Sequence, residues 1–182
     1  MDIQVKICGL TRPQDVEAAV RYGADYLGFV VACESPRALG LQDAAHLIHP
    51  VRGTAKTVVV TVNPSDHVLA QIVRDVQPDY VQLHGDESPA RIVEIKQRTG
   101  LSLIKAFPVF ASADLHSVIA YESCVDMMLL DAKSPKNSAQ KGGHGVTFDW
   151  DILTGFRSSR PLILAGGLNG ANILAAKRTG IK

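Results

Sequence analysis

The sequence predicts an α/β protein built as a closed (β/α)8 barrel of which seven βα units are visible, and three observations predict it. Short β-branched or apolar runs alternate with amphipathic helical patterns from end to end, the signature of serial βα units around a parallel sheet. Polar residues able to do chemistry fall at the C-terminal ends of those runs, the face on which barrel enzymes build their sites. The GxGxxG that announces a nucleotide after the first strand of an open, doubly wound sheet is missing, because the first run ends in "CGLTRP". A single domain of the TIM-barrel type over residues 1–182 is therefore expected. Barrels of ~250 residues add one more strand and helix, so the domain is expected to be C-terminally incomplete, with Lys182 short of the natural end.

Each element follows from its pattern. In "IQVKIC" (3–8) Ile3, Val5 and Ile7 face one way while Gln4, Lys6 and Cys8 face the other. Helices would cover the first face and the barrel interior the second, leaving Cys8 on the rim. A helix follows in "RPQDVEAAVRYGA", with Pro13 in its opening turn and Thr11 as its expected cap. Further strands are "DYLGFVV" (25–31), "AKTVVVTV" (55–62) and "DYVQLH" (79–84). The helix "SPARIVEIKQRTG" then has Ser88 as N-cap and Pro89 behind it. "LSLIKAF" (101–107), "VDMMLLD" (125–131) and "RPLILAG" (160–166) complete the strands, and "NGANILAAKRTGIK" reads as a last helix. The lead-ins "GADYLGF", "QPDYVQL" and "CVDMMLL" each put an aspartate just before a strand, a structural repeat.

Composition narrows the function. With 46% hydrophobic residues the chain can bury one sizeable core, and a net charge of +1 without any basic run argues against nucleic acid and membrane surfaces as partners. No apolar run approaches the ~18 residues of a membrane span, and "MDIQVKICG" lacks the features of a signal peptide, so a soluble cytoplasmic protein is expected. Cys8, Cys33 and Cys124 are widely spaced and form no CxxC pair, so they read as free thiols.

Strand ends supply Cys8, His84, Lys105, Asp131 and the pair Gly166 and Gly167. Cys8 shares a face with Lys6, a cation suited to favouring a thiolate, whereas Cys33 and Cys124 have no such context. Asp131 ends the hydrophobic run "MMLL" on the mouth side, which suits an acid or base. His84 precedes a glycine and reads equally as a turn residue or a site residue. Lys105 would form a Schiff base if desolvated, or be solvated or ion-paired otherwise. Cysteine, histidine and aspartate lie on different strands without ligand spacing, so no metal is expected. Gly166 and Gly167 offer backbone N–H groups suited to a phosphate. Segment 132–147, with Gly142, Gly143 and Gly145, exceeds the usual ~2–6 residues of a βα loop and reads as a lid. Arg37, after Pro36 in "ESPR" (34–37), has the planar fork that grips a carboxylate, a surface salt bridge being the plainer reading.

The stretches "KICGLT", "ADYLGFV" with "SPR" after it, "VQLHGDE", "LLDAK", "GGHGVTFDW" and "LILAGGLN" occur in that order. Together they resemble the phosphoribosylanthranilate isomerase family of tryptophan biosynthesis, over nearly the whole chain. The resemblance implies an Amadori rearrangement of N-(5-phosphoribosyl)anthranilate to 1-(2-carboxyphenylamino)-1-deoxyribulose 5-phosphate, with no metal and no organic cofactor. It implies Cys8 of "KICG" as general base and Asp131 of "LLD" as general acid. Arg37 would clamp the anthranilate carboxylate, and Gly166 and Gly167 would hold one side of the phosphate; His84, at its strand end, is a substrate-binding candidate beside them. The partner is then a small-molecule phosphoribosyl substrate, with a homo-oligomer left open. The family's pattern continues through an eighth strand with a Ser-Gly-Val-Glu segment, which this sequence does not reach, and commonly has an aromatic residue after "GFV", where this sequence runs "VACESPR". Two other readings are a phosphosugar barrel such as indole-glycerol-phosphate synthase, which would use lysines such as Lys105, and a truncated, non-catalytic phosphate-ligand-binding barrel.

Overall fold

Alternating β-branched and helical patterns fold as expected into parallel strands joined by helices. The computed structural model describes residues 3–132 and 147–181. They fall into two units, Gln4–Leu103 and Ile104–Lys182 with Met1–Ile3.

In the first unit β1 (Lys6–Cys8), β2 (Tyr26–Val31), β4 (Lys56–Thr61) and β5 (Tyr80–Leu83) lie side by side in that order, all parallel. A short β3 (Ala38–Leu39) pairs with β2 through Val30↔Ala38 and Val31↔Leu39. Every residue of β2 is buried, as expected of a parallel strand covered on both faces. Helices α1 (Pro13–Arg21), α2 (Leu41–Ile48), α3 (Asp66–Gln71) and α4 (Pro89–Thr99) carry buried apolar residues, among them Val16, Ile48, Leu69 and Ile95. A π-helical turn, Ile72–Val76, extends α3.

Two expectations for this unit are corrected. Thr11 does not cap α1: the N-cap is Arg12, whose side chain makes no cap bond and instead holds Asp15 at 2.7 and 2.9 Å. Pro13 at the first helical position removes one N–H that a cap would satisfy, and Thr11 lies one residue too early for the cap role. The first strand begins at Lys6 rather than Ile3, because the Val5 N–H is taken by the Asp25 carboxylate at 2.7 Å. Ser88 caps α4 as expected, accepting the Arg91 N–H at 3.2 Å.

In the second unit β6 (Ser102–Val109, whose residues from Ile104 on belong here), β7 (Met127–Ala132) and β8 (Leu162–Leu164) are parallel neighbours, with Pro108↔Asp131 and Leu130↔Leu164 in register. Helices α5 (Asp114–Ile119) and α6 (Ile173–Arg178) and a 3-10 turn at Trp150–Leu153 accompany them. Ile104, Val118, Met128 and Leu130 are fully buried here. β8 stops two residues before Gly166, whose φ of +88° leaves the extended region.

Candidate active site

Cys8 is the last residue of β1, exposed, and in register with Gly28 of β2. A Cβ at position 28 would lie 2.9 Å from Cys8 Sγ and 3.1 Å from Lys6 Nζ, so thiol and ammonium occupy the same space above a residue that has no side chain. This is the shared face that the strand alternation predicts. Gly9 turns the chain at φ +82°, and its N–H and that of Leu10 both donate to the Gly28 carbonyl, at 2.9 and 3.1 Å. Arg37 lies directly over Gly9, where a side chain would collide with its guanidinium, and its Nη1 donates to the Cys8 carbonyl at 3.2 Å. The β2 extension into β3 explains how a loop arginine is held there: Arg37 N–H donates to Ser35 Oγ at 3.2 Å and the next two residues join the sheet. A two-residue strand has no legible sequence signal.

His84 is the first residue after β5. Its N–H donates to the Thr61 carbonyl at 2.9 Å, and the buried Gln82 side chain sits 3.0 Å from its Nδ1. A Gln82 amide that donates to Nδ1 pairs with the tautomer carrying its proton on Nε2.

The second unit holds Asp131 and the glycine pair. Asp131 is 7% exposed near the end of β7, and a Cβ at Gly166 would lie 3.0 Å from its Oδ1 and 2.6 Å from the Ala132 N. Glycine is required at 166 by this approach and by its positive φ. Gly167 also has positive φ, +62°, and among the described residues the N–H groups of Gly166 and Gly167 donate no hydrogen bond. Two asparagines that the sequence reading passes over fix this turn. Asn169 Nδ2 and Asn172 Nδ2 donate to the Gly167 carbonyl at 3.2 and 2.9 Å, and Asn172 Oδ1 accepts the Asn169 N–H at 2.8 Å.

Lys105 is buried, 3% exposed, with its Nζ donating to the Ala106 carbonyl at 3.0 Å and 5.6 Å from the Phe107 ring centroid. Of the expected alternatives, a solvated Lys105 is ruled out by this burial. Burial pushes the Cys33 thiol up, and Cys124 Sγ donates to the Tyr121 carbonyl at 3.2 Å. Both fit inert thiols. Gly142, Gly143 and Gly145 of the expected lid lie outside the described residues.

Sequence and structure comparisons converge on one assignment. The sequence model of the family described as N-(5'phosphoribosyl)anthranilate (PRA) isomerase matches residues 5–181. The chain belongs to the phosphoribosylanthranilate isomerase family. A relative of this name from Parvibaculum lavamentivorans is 46% identical over 180 residues, spanning 98% of this chain and 84% of that protein. The phosphoribosylanthranilate isomerase of Thermotoga maritima superimposes with a TM-score of 0.85 at 32% identity, over 98% of this chain and 83% of that one. A further phosphoribosylanthranilate isomerase, solved in complex with reduced 1-(o-carboxyphenylamino)-1-deoxyribulose 5-phosphate, superimposes with a TM-score of 0.80 at 30% identity, over 98% and 82%. The fold is thus α/β of the TIM-barrel type, and the family activity is that of an isomerase in tryptophan biosynthesis. No helix among the described residues of this phosphoribosylanthranilate isomerase family member is long and apolar enough to cross a membrane.

Proposed function

We propose that residues 1–182 act as one catalytic domain in which Cys8 is the general base and Asp131 the general acid of the Amadori rearrangement of N-(5-phosphoribosyl)anthranilate. Opening the furanose ring needs a proton on the ring oxygen as its bond to C1′ breaks, and a protonated Asp131 supplies it. The anthranilate nitrogen lone pair then makes a protonated imine at C1′. The Cys8 thiolate removes the C2′ proton, the electron pair of that bond moves toward C1′ to neutralise the imine, and the resulting enol relaxes to the ketone. Lys6 supplies positive charge beside the thiol. Arg37 binds the anthranilate carboxylate, His84 contributes its Nε2–H to substrate binding, and the N–H groups of Gly166 and Gly167 bind phosphate.

The observation that carries this reading is the Arg37 guanidinium 3.2 Å from the Cys8 carbonyl, which supports a carboxylate binder beside the residue that bears the thiol. The free N–H groups beside Asp131 support the phosphate assignment. Purified protein given freshly made phosphoribosylanthranilate should deplete its anthranilate-type fluorescence. Cys8→Ser and Asp131→Asn should each lower kcat by ~10²–10⁴, the usual worth of a positioned base or acid. An unchanged rate in either removes that residue from the mechanism, and activity that survives Cys8→Ser but not Lys105→Met would instead favour lysine chemistry.

A further inference from the structure

Glu87 has no part in the chemistry above, yet it is 4% exposed in a loop, where a carboxylate is ordinarily solvated. Its Oε1 accepts the Asn63 N–H at 2.7 Å, from the loop after β4, and its two oxygens accept the Gly85 N–H at 3.2 and 3.1 Å, from the loop after β5. Asn63 returns the tie, its Oδ1 accepting the Asp86 N–H at 2.9 Å. Asn63 adopts φ +45°, a conformation that persists in a non-glycine residue only where its surroundings impose it. Gly85 is equally constrained, since a Cβ there would collide with Asn63 Oδ1 and lie 2.6 Å from Glu87 Oε1.

The residue before Gly85 is His84. Its backbone is fixed on one side by the bond to the Thr61 carbonyl and on the other by the Glu87 carboxylate gripping the Gly85 N–H, while Gln82 meets its ring. The two loops border an open hollow of about 310 Å³ lined by Asn63, Pro64, Asp86, Glu87, Ser88 and Arg91, so hydrogen bonds rather than packing hold them on that side. We infer that Glu87 is a positioning residue for His84, the buried carboxylate tying the two loops so that the imidazole stands at one fixed place for the substrate. The inference rests on the assignment of His84 to the substrate site.

A double-mutant cycle tests it, with thermal melting and the ¹⁵N signals of the His84 ring read beside the kinetics. Glu87→Ala should raise KM ~10-fold or more with kcat changed less than about twofold, since misplacing a binding group by an ångström is costly. In a His84→Ala background the same change should alter KM less than about twofold. Glu87→Gln, whose carbonyl can still accept from Asn63 and Gly85, should restore KM to within about threefold. In Glu87→Ala the His84 ring signals should move from a single Nε2–H tautomer to the average of a freely exposed imidazole. Equal KM effects in both backgrounds, or ring signals unmoved, would overturn the inference. Ring signals that move while His84→Ala leaves KM unchanged would instead defeat the substrate role of His84, and so the purpose assigned to Glu87, while sparing the tie itself. If Glu87→Ala does not fold, Asn63→Ala removes the reciprocal bond to the Asp86 N–H while keeping the Asn63 N–H on Glu87, and a smaller rise in KM that again vanishes in the His84→Ala background is expected.

Discussion

At the scale of the residue, the site depends on side chains that are missing as much as on those present. Gly28 leaves room for Cys8 Sγ and Lys6 Nζ, and Gly9 leaves room for Arg37. Gly28→Ala should therefore push the thiol aside and lower kcat/KM ~10- to 100-fold, while the strain costs ~1–3 kcal/mol of stability. Progress curves and melting temperatures of the purified variant check both, and a full rate would mean that the thiol position is not critical. Cys8 and Asp131 were singled out from sequence because each sits at or near a strand end, where period-two alternation assigns a face, and Arg37 because its planar fork follows Pro36 in a loop. Glu87, Asn169 and Asn172 were not. A loop carboxylate or amide reads as solvated, and its burial depends on partners such as Asn63, which lies 24 residues upstream of Glu87 in sequence.

At the scale of the element, the aspartate that leads into successive strands proves to be a tie between neighbours. Asp25 ahead of β2 accepts the Val5 N–H at the head of β1, and Asp79 ahead of β5 accepts the Thr57 N–H of β4 at 2.8 Å, with Thr57 Oγ1 at 2.9 Å and Lys56 Nζ at 3.0 Å. Each carboxylate thus sets the register of the preceding parallel strand. Burial pushes the Asp79 carboxyl up, but the Thr57 N–H, the Lys56 ammonium and the Thr57 hydroxyl outweigh it and hold the group below the usual carboxylate range. A lowered folded value means that the stabilisation is complete above the unfolded pKa of ~3.9 and is lost as pH falls through the folded value. Asp79→Ala should cost ~1–3 kcal/mol at neutral pH, and the gap in melting temperature between variant and wild type should hold from about pH 7 to 5 and close below about pH 4. A gap independent of pH would show that the charge is not what holds the strands. Ser88→Ala, which removes the α4 cap, should cost ~1 kcal/mol in the same assay. The repeat was visible in the sequence as three aspartates at one position. The action of Asp25 and Asp79 was not, because it is exerted on the strand before rather than the strand that follows.

At the scale of the whole molecule, the proposed single catalytic domain implies one cooperative unfolding event. Calorimetry of the 182-residue chain should give a single transition with matching calorimetric and van't Hoff enthalpies, and two resolved transitions would refute the single-domain proposal. The strand order was largely legible, since serial βα units pair in sequence, and the departures were local: a two-residue β3 and strand ends trimmed by Asp25 and Gly166. Among the described residues β1 pairs with β2 alone, and its Ile7, like Ile3 and Val5 just ahead of it, is exposed. Such a face invites association, so Val5→Lys should reduce light scattering of concentrated protein without altering kcat.

The contrast among the thiols has a practical use. Cys8 is exposed, Cys33 half-buried and Cys124 buried, so brief treatment with a chromogenic alkylating reagent should consume Cys8 first. Reduced product analogue should protect it. The fast-labelling fraction that the analogue spares would then count competent molecules in a preparation, and kcat could be expressed per functional site rather than per mole of polypeptide.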